Sequence, residues 1–76
     1  MEPVEEFEGR LRAAQEFAPS LIGFNGREAE ELALRAGYYR SQVITPDVEA
    51  ITADLDSFRI RLFVDDLGVV VRASAG

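Results

Sequence analysis

The sequence predicts one small α+β domain in which a main helix packs on a mixed three-stranded sheet. Three observations predict this fold: apolar residues at helical spacing in the first half, a strictly alternating stretch at residues 59–64, and a β-branched run at residues 42–45. The 76 residues, 47% of them hydrophobic and 29% charged, have ordinary globular composition. A chain of this length has room for one small core.

An amphipathic helix is predicted over residues 4–17. Its apolar positions recur every three or four residues: Val4, Phe7, Leu11, Ala14 and Phe17. The charged residues between them are mainly acidic, whereas a membrane-surface helix would have Lys and Arg on its polar face. We therefore expect residues 1–18 to form a helical extension that packs on the domain or binds a partner, and residues 19–76 to form the domain itself.

The main helix is predicted to begin after Asn25, whose side chain can cap it, and to end near Gly37, which can adopt a left-handed conformation. Its apolar face is made mainly of small residues: Ala29, Leu32, Ala33 and Ala36. A face of small side chains suits close packing on a sheet.

Residues 59–64 form the clearest strand, because Ile60, Leu62 and Val64 alternate with Arg59, Arg61 and Phe63. We expect this strand to be central, parallel to residues 42–45 and antiparallel to residues 69–72, which return after a turn at Gly68.

Residues 46–58 carry two conflicting signals. Pro46 resembles the first residue of a helix, and three later apolar residues have roughly helical spacing: Val48, Ile51 and Leu55. This pattern predicts a crossover helix between the parallel strands. Residues 51–56 also alternate with period two, as an extended segment would. Local rules leave both interpretations open.

The composition excludes most function classes. The chain has no Cys, no His and no Lys, so a thiol nucleophile, an imidazole base, a Schiff-base amine and thiolate or imidazole metal ligands are missing, and an enzyme is not expected. A net charge of −6 repels a nucleic-acid backbone. The spacing of the aspartates matches no calcium loop, so we expect neither a metal nor a cofactor.

A series of residues appears in an order that is typical of one inhibitor family: Pro19 with Leu21-Ile22-Gly23, Glu28-Ala29, Pro46, residues 51–55, residues 59–65 and Gly76. The most specific part is Thr52 and Asp54, followed five residues after Asp54 by Arg59, Arg61 and Phe63. From Leu21 to Gly76 the chain resembles the potato inhibitor I family of serine protease inhibitors, which includes eglin and the barley chymotrypsin inhibitor.

The resemblance implies that residues 48–58 form an exposed, extended loop that enters a protease as a substrate would, and that the helical interpretation is wrong. The protease-binding residues would be Ile51, Thr52, Ala53, Asp54 and Leu55. The bond offered to the catalytic serine would be Ala53–Asp54. Arg59 and Arg61, two apart on one exposed strand face, would support the loop by hydrogen bonds. Without the resemblance, such charges most often form a solvated face.

The small side chain of Ala53 predicts a serine protease of subtilisin or elastase type as partner. The chain departs from the family at Val48, where Gly often opens the loop, and at Asp56, where Arg is common. These departures favour an alternative: a non-inhibitory protein-interaction domain of the same fold, which would use the N-terminal helix to bind a partner or to self-associate. The expected compartment is the cytoplasm if the chain is complete, or the exterior if a signal peptide was removed.

Overall fold

The computed structural model describes residues 4–48 and 54–76. The elements occur in this order: α1 (Val4–Phe17), a 3-10 turn (Ala18–Leu21), α2 (Gly26–Arg35), β1 (Gln42–Ile44), β2 (Ile60–Val64) and β3 (Val70–Ala75). Two helices pack on a small mixed three-stranded sheet, which is the predicted α+β fold.

Helix α1 occupies the residues that its periodicity predicts, and it packs against β3 and the 3-10 turn. Ala14 is fully buried, and the ring of Phe17 stacks on Tyr38 with the ring centroids 5.3 Å apart. The α-helix gives way to a 3-10 turn just before Pro19, which lacks the backbone N–H that the helical ladder requires. The N-terminal helix is therefore part of the packed structure.

Helix α2 begins and ends at the predicted signals. The Asn25 side chain accepts a hydrogen bond from the Arg27 N–H at 2.9 Å, and Gly37 follows the helix with a φ of +103°. Ala29 and Ala33 on the small face are fully buried. A Cβ at Gly26 would lie 3.1 Å from a methyl of Val64, so the start of α2 approaches the sheet closely.

Strand β2 is central, with β1 parallel on one side and β3 antiparallel on the other, as predicted. The side chains on its inner face, Ile60, Leu62 and Val64, lie in the core. Strand β3 extends further than residues 69–72, because its pairing with β2 continues until Ala75 lies opposite Ile60. The small residues at its end carry no strand signal in the sequence.

The described ends of the connection between β1 and β2 are not helical. After β1 the chain turns at Pro46 and Asp47, where the Thr45 hydroxyl donates a hydrogen bond to the Asp47 carboxylate. Residues 54–56 have no regular secondary structure. Pro46, which resembles the first residue of a helix, thus lies in a turn. Residues 49–53 lie outside the described residues.

Within residues 4–48 and 54–76, neither helix is long and apolar enough to cross a membrane.

Candidate functional site

The Arg59 guanidinium joins the loop to the end of β3. Its Nε donates a hydrogen bond to the Gly76 backbone oxygen at 2.6 Å, and its Nη2 donates one to the Asp54 backbone oxygen at 2.7 Å. Its Nη1 lies 3.3 Å from the Asp54 carboxylate. The planar, rigid guanidinium therefore fixes two distant backbone positions at once.

Arg59 is buried, with 7% of its surface exposed, which corrects the expectation of an exposed strand face. The side chain is covered because Gly76 and Asp54 bond to it, and the Gly76 N–H also donates to the Arg59 carbonyl at 3.2 Å. A buried cation is costly unless it is paired and hydrogen-bonded. Arg59 meets that requirement with one carboxylate and two backbone oxygens.

Gly76 has a φ of +120°, and a Cβ there would lie 3.3 Å from the side chain of Leu55. Because residue 76 is glycine, its backbone can bond to Arg59 without displacing the side chain of Leu55.

Arg61 is half-buried on β2, opposite Gln42 on one neighbouring strand and Ser74 on the other. It follows by two residues Arg59, which immediately precedes β2. Its role in supporting the loop remains a prediction.

Of the predicted protease-binding residues, Ile51, Thr52 and Ala53 lie outside the described residues. Asp54 and Leu55 are described, and both are exposed, Leu55 to 64%. The Asp54 carbonyl nevertheless accepts a hydrogen bond from the buried Arg59. This end of the loop thus combines accessible side chains with an anchored backbone.

A further ion pair, which the sequence analysis missed, lies next to this site. The Arg40 Nη1 is 3.0 Å from the Asp56 carboxylate, whose other oxygen accepts the Phe58 N–H at 2.8 Å. Burial by itself raises the pKa of Asp56, but the Phe58 N–H and Arg40, with the charge of Arg59, outweigh burial and hold this pKa below its ordinary value. Asp56 is therefore well accommodated as an anion.

The aspartates of the β2–β3 turn have a structural function. The Asp65 carboxylate accepts the N–H groups of Leu67 at 2.9 Å and Val69 at 3.0 Å, which caps the turn. In the part of the chain that the structure describes, no three acidic side chains are grouped so that they could hold a metal ion.

Comparison with known proteins gives a family and a structural neighbour. The model of the potato inhibitor I family matches residues 15–73, a range that excludes most of α1. The crystal structure of bitter gourd trypsin inhibitor is similar, with a TM-score of 0.67 and 28% identity over 78% of this chain and 88% of that chain. No curated protein sequence matches.

Proposed function

The chain belongs to the potato inhibitor I family, whose members are protease inhibitors and not enzymes, and we propose that it presents residues 51–55 to a serine protease as a substrate-like loop. The proposed scissile bond is Ala53–Asp54. The observation that carries the proposal is the hydrogen bond from the Arg59 guanidinium to the carbonyl of Asp54, the first residue after the proposed scissile bond.

The hydrogen bond from Arg59 to Asp54 supports inhibition, because it keeps the leaving group in place after the catalytic serine has attacked. Attack on the Ala53 carbonyl forms an acyl-enzyme and releases the Asp54 amine as the leaving group. Asp54 is tied through Arg59 to Gly76, so its amine stays close to the acyl carbon. A retained amine can re-form the peptide bond faster than water reaches the ester. The loop then behaves as an inhibitor and not as a substrate.

We propose that Arg61 supports the amino side of the same bond, at Thr52. The proposal is supported by the position of Arg61 in β2, two residues after Arg59, which immediately precedes the strand. A loop held from both sides loses little conformational entropy on docking, which allows a contact of about 800 Å² per partner to bind tightly.

The proposed target is a protease of subtilisin or elastase type, because Ala53 would fill a small or shallow apolar pocket. The similar bitter gourd protein is a trypsin inhibitor. The specificity pocket of trypsin contains an aspartate, whereas Ala53 offers no cation to pair with it.

Titration against subtilisin, pancreatic elastase and trypsin tests the proposal. The parent should inhibit the first two, and Ala53→Leu should strengthen inhibition of subtilisin by about 0.8 kcal/mol for each methylene buried in an apolar pocket. Leu67→Ala, in the exposed β2–β3 turn, is the control and should leave the inhibition constants unchanged. Unchanged constants for Ala53→Leu would show that residue 53 is not in the primary pocket.

The alternative, a non-inhibitory interaction domain, predicts a different result in the same titration. The parent would be cut rapidly or would not bind, and changes at Ala53 would have no effect.

A further inference from the structure

A second set of contacts holds residues 54–58, which we name the stem of the loop. We propose that Arg40 and Arg10 position the stem independently of Arg59, so that α1 and residues 38–41 help to keep the inhibitory loop in shape. This inference rests on the proposed function, since it concerns the leaving-group side of the same bond.

Arg40 contacts the stem through both its side chain and its backbone. Its guanidinium lies 3.0 Å from the Asp56 carboxylate, and its N–H donates to the Phe58 carbonyl at 3.1 Å. The Asp56 side chain is only 14% exposed, and the Phe58 N–H holds the second carboxylate oxygen. The acceptor is therefore oriented before the arginine pairs with it, unlike the two mobile partners of a typical surface ion pair.

The ring of Phe58 links the stem to α1. The Arg10 guanidinium carbon lies 5.1 Å from the ring centroid, within the range of a cation–π contact, and the Tyr39 ring lies 5.2 Å from the same centroid. Phe7, one turn before Arg10, borders the groove that Arg40 and the stem also line. Helix α1 thus lies along the stem, as well as against the core.

Ser41 connects these contacts to the sheet. Its hydroxyl oxygen accepts the Ile60 N–H at 3.1 Å, while its own hydrogen is donated to the Tyr38 carbonyl at 2.9 Å. Residues 38–41 are therefore tied to the first residue of β2 and lead directly into β1. Because residues 38–41 are held by these hydrogen bonds, the backbone of Arg40 is fixed relative to the sheet.

The two sets of contacts hold different residues of the loop. The side chain of Arg59 holds Asp54, whereas the side chains of Arg40 and Arg10 contact Asp56 and Phe58. The backbone N–H of Arg59 also donates to the Asp56 carbonyl at 3.3 Å, a bond that a side-chain substitution retains. Loss of the second set should let the rest of the stem move, and because Asp54 belongs to the same stretch of chain, its bonds to Arg59 should then break more often. A moving stem carries the leaving amine away from the acyl carbon more often, so hydrolysis should gain over religation.

The first experiment measures amide hydrogen exchange of the full chain by mass spectrometry, without any protease. The variants are Arg40→Ala, Asp56→Asn and the two together, with Arg35→Ala on the exposed side of α2 as the control. We expect stem amides to exchange about two- to fivefold faster in each variant and no faster still in the double variant, because both changes break one ion pair. The melting temperature and the core exchange rates should change little.

A reversed pair, Arg40→Asp with Asp56→Arg, should restore part of the protection that Arg40→Asp alone removes, but not at the Phe58 N–H, which loses its carboxylate acceptor. No change in stem exchange, or a uniform increase across the domain with a matching fall in melting temperature, would overturn the proposal.

Two further arms separate the role of α1 and the role in inhibition. Arg10→Ala should also speed stem exchange, while Arg12→Ala, exposed on the same helix, should not. With subtilisin present, Arg40→Ala and Arg10→Ala should be cleaved after residue 53 faster than the parent. Faster exchange without faster cleavage would overturn the role in inhibition. A parent that binds no protease would refute the proposed function, while the exchange data would still decide whether Arg40 and Arg10 hold the stem.

Discussion

At the scale of single residues, the loop is held by charged groups whose partners are largely backbone atoms. Arg59 bonds to the carbonyls of Asp54 and Gly76, and Asp56 accepts the N–H of Phe58. A charge-assisted hydrogen bond to a backbone atom fixes the path of the chain more directly than a pair of mobile side chains does. The positions of Arg59 and Asp56 should therefore tolerate substitution poorly.

Arg59→Ala should destabilise the fold by about 1–3 kcal/mol, because it leaves the two backbone oxygens without their donor in a covered site. Exposed strand positions usually change stability by no more than about 0.5 kcal/mol. Urea unfolding measures the difference, with Arg27→Ala, at an exposed position of α2, as the control. A midpoint equal to that of the parent would show that water replaces the guanidinium without cost.

Asp56 should contribute to the acid sensitivity of the domain. Its pKa is lower in the folded chain than the ordinary value near 3.9, so its contribution to stability is fully present above about pH 4. That contribution is lost as the pH falls through the lowered pKa. The free energy of unfolding of the Asp56→Asn variant should therefore fall less steeply as the pH is lowered. Part of the pH dependence should remain, because the pKa of Asp47 is also lowered. Unfolding curves collected from neutral to acidic pH would contradict this if the parent and the variant declined in parallel.

At the scale of elements, the sequence predicted what local signals determine. The two ends of α2 were predictable from the Asn25 cap and the left-handed Gly37, and β2 was predictable from its strict alternation. The contact of Arg40 with Asp56 spans 16 residues and carries no local signature. The burial of Arg59 was missed for the same reason, because the residue that covers it, Gly76, is 17 positions away.

Helix α1 offers a clean test of helix propensity. A Cβ at Gly9 would meet nothing within 4 Å, so Gly9→Ala should stabilise the fold by about 0.5–1 kcal/mol through lower backbone entropy in the unfolded chain. Gly37→Ala, also in open space but at a φ of +103°, should have the opposite sign, at about 1–2 kcal/mol. Thermal melts of both variants measure this, and equal shifts in the same direction would contradict the argument.

At the scale of the whole molecule, the loop depends on contacts from distant parts of the chain. Arg10 comes from α1, Arg40 from the connection before β1, and Gly76 from the end of β3. The chain has no cysteine, so no disulfide performs this task. Loss of the folded structure in any of these three parts should therefore loosen the loop, whereas loss of one side-chain contact can loosen it with little effect on the fold.

Deletion of residues 1–18 tests how far the proposed domain of residues 19–76 depends on its extension. The deletion removes the buried Ala14 and Ala18, and the Phe17 ring that stacks on Tyr38, so apolar core surface becomes exposed. We expect the melting temperature to fall, by about 4–8 °C for each kcal/mol lost in a domain of this size.

The matched variant is the full chain with Phe17→Ala, which removes the ring but keeps the helix. It should lie between the parent and the deleted chain in melting temperature, and also in resistance to cleavage after residue 53, since the deletion removes the Arg10 contact with Phe58 as well. If the deleted chain melted with the parent and resisted cleavage equally, residues 1–18 would be an independent extension, available to bind a partner or to self-associate. A fall in both quantities, larger for the deletion than for Phe17→Ala, would establish that α1 stabilises the core and restrains the loop.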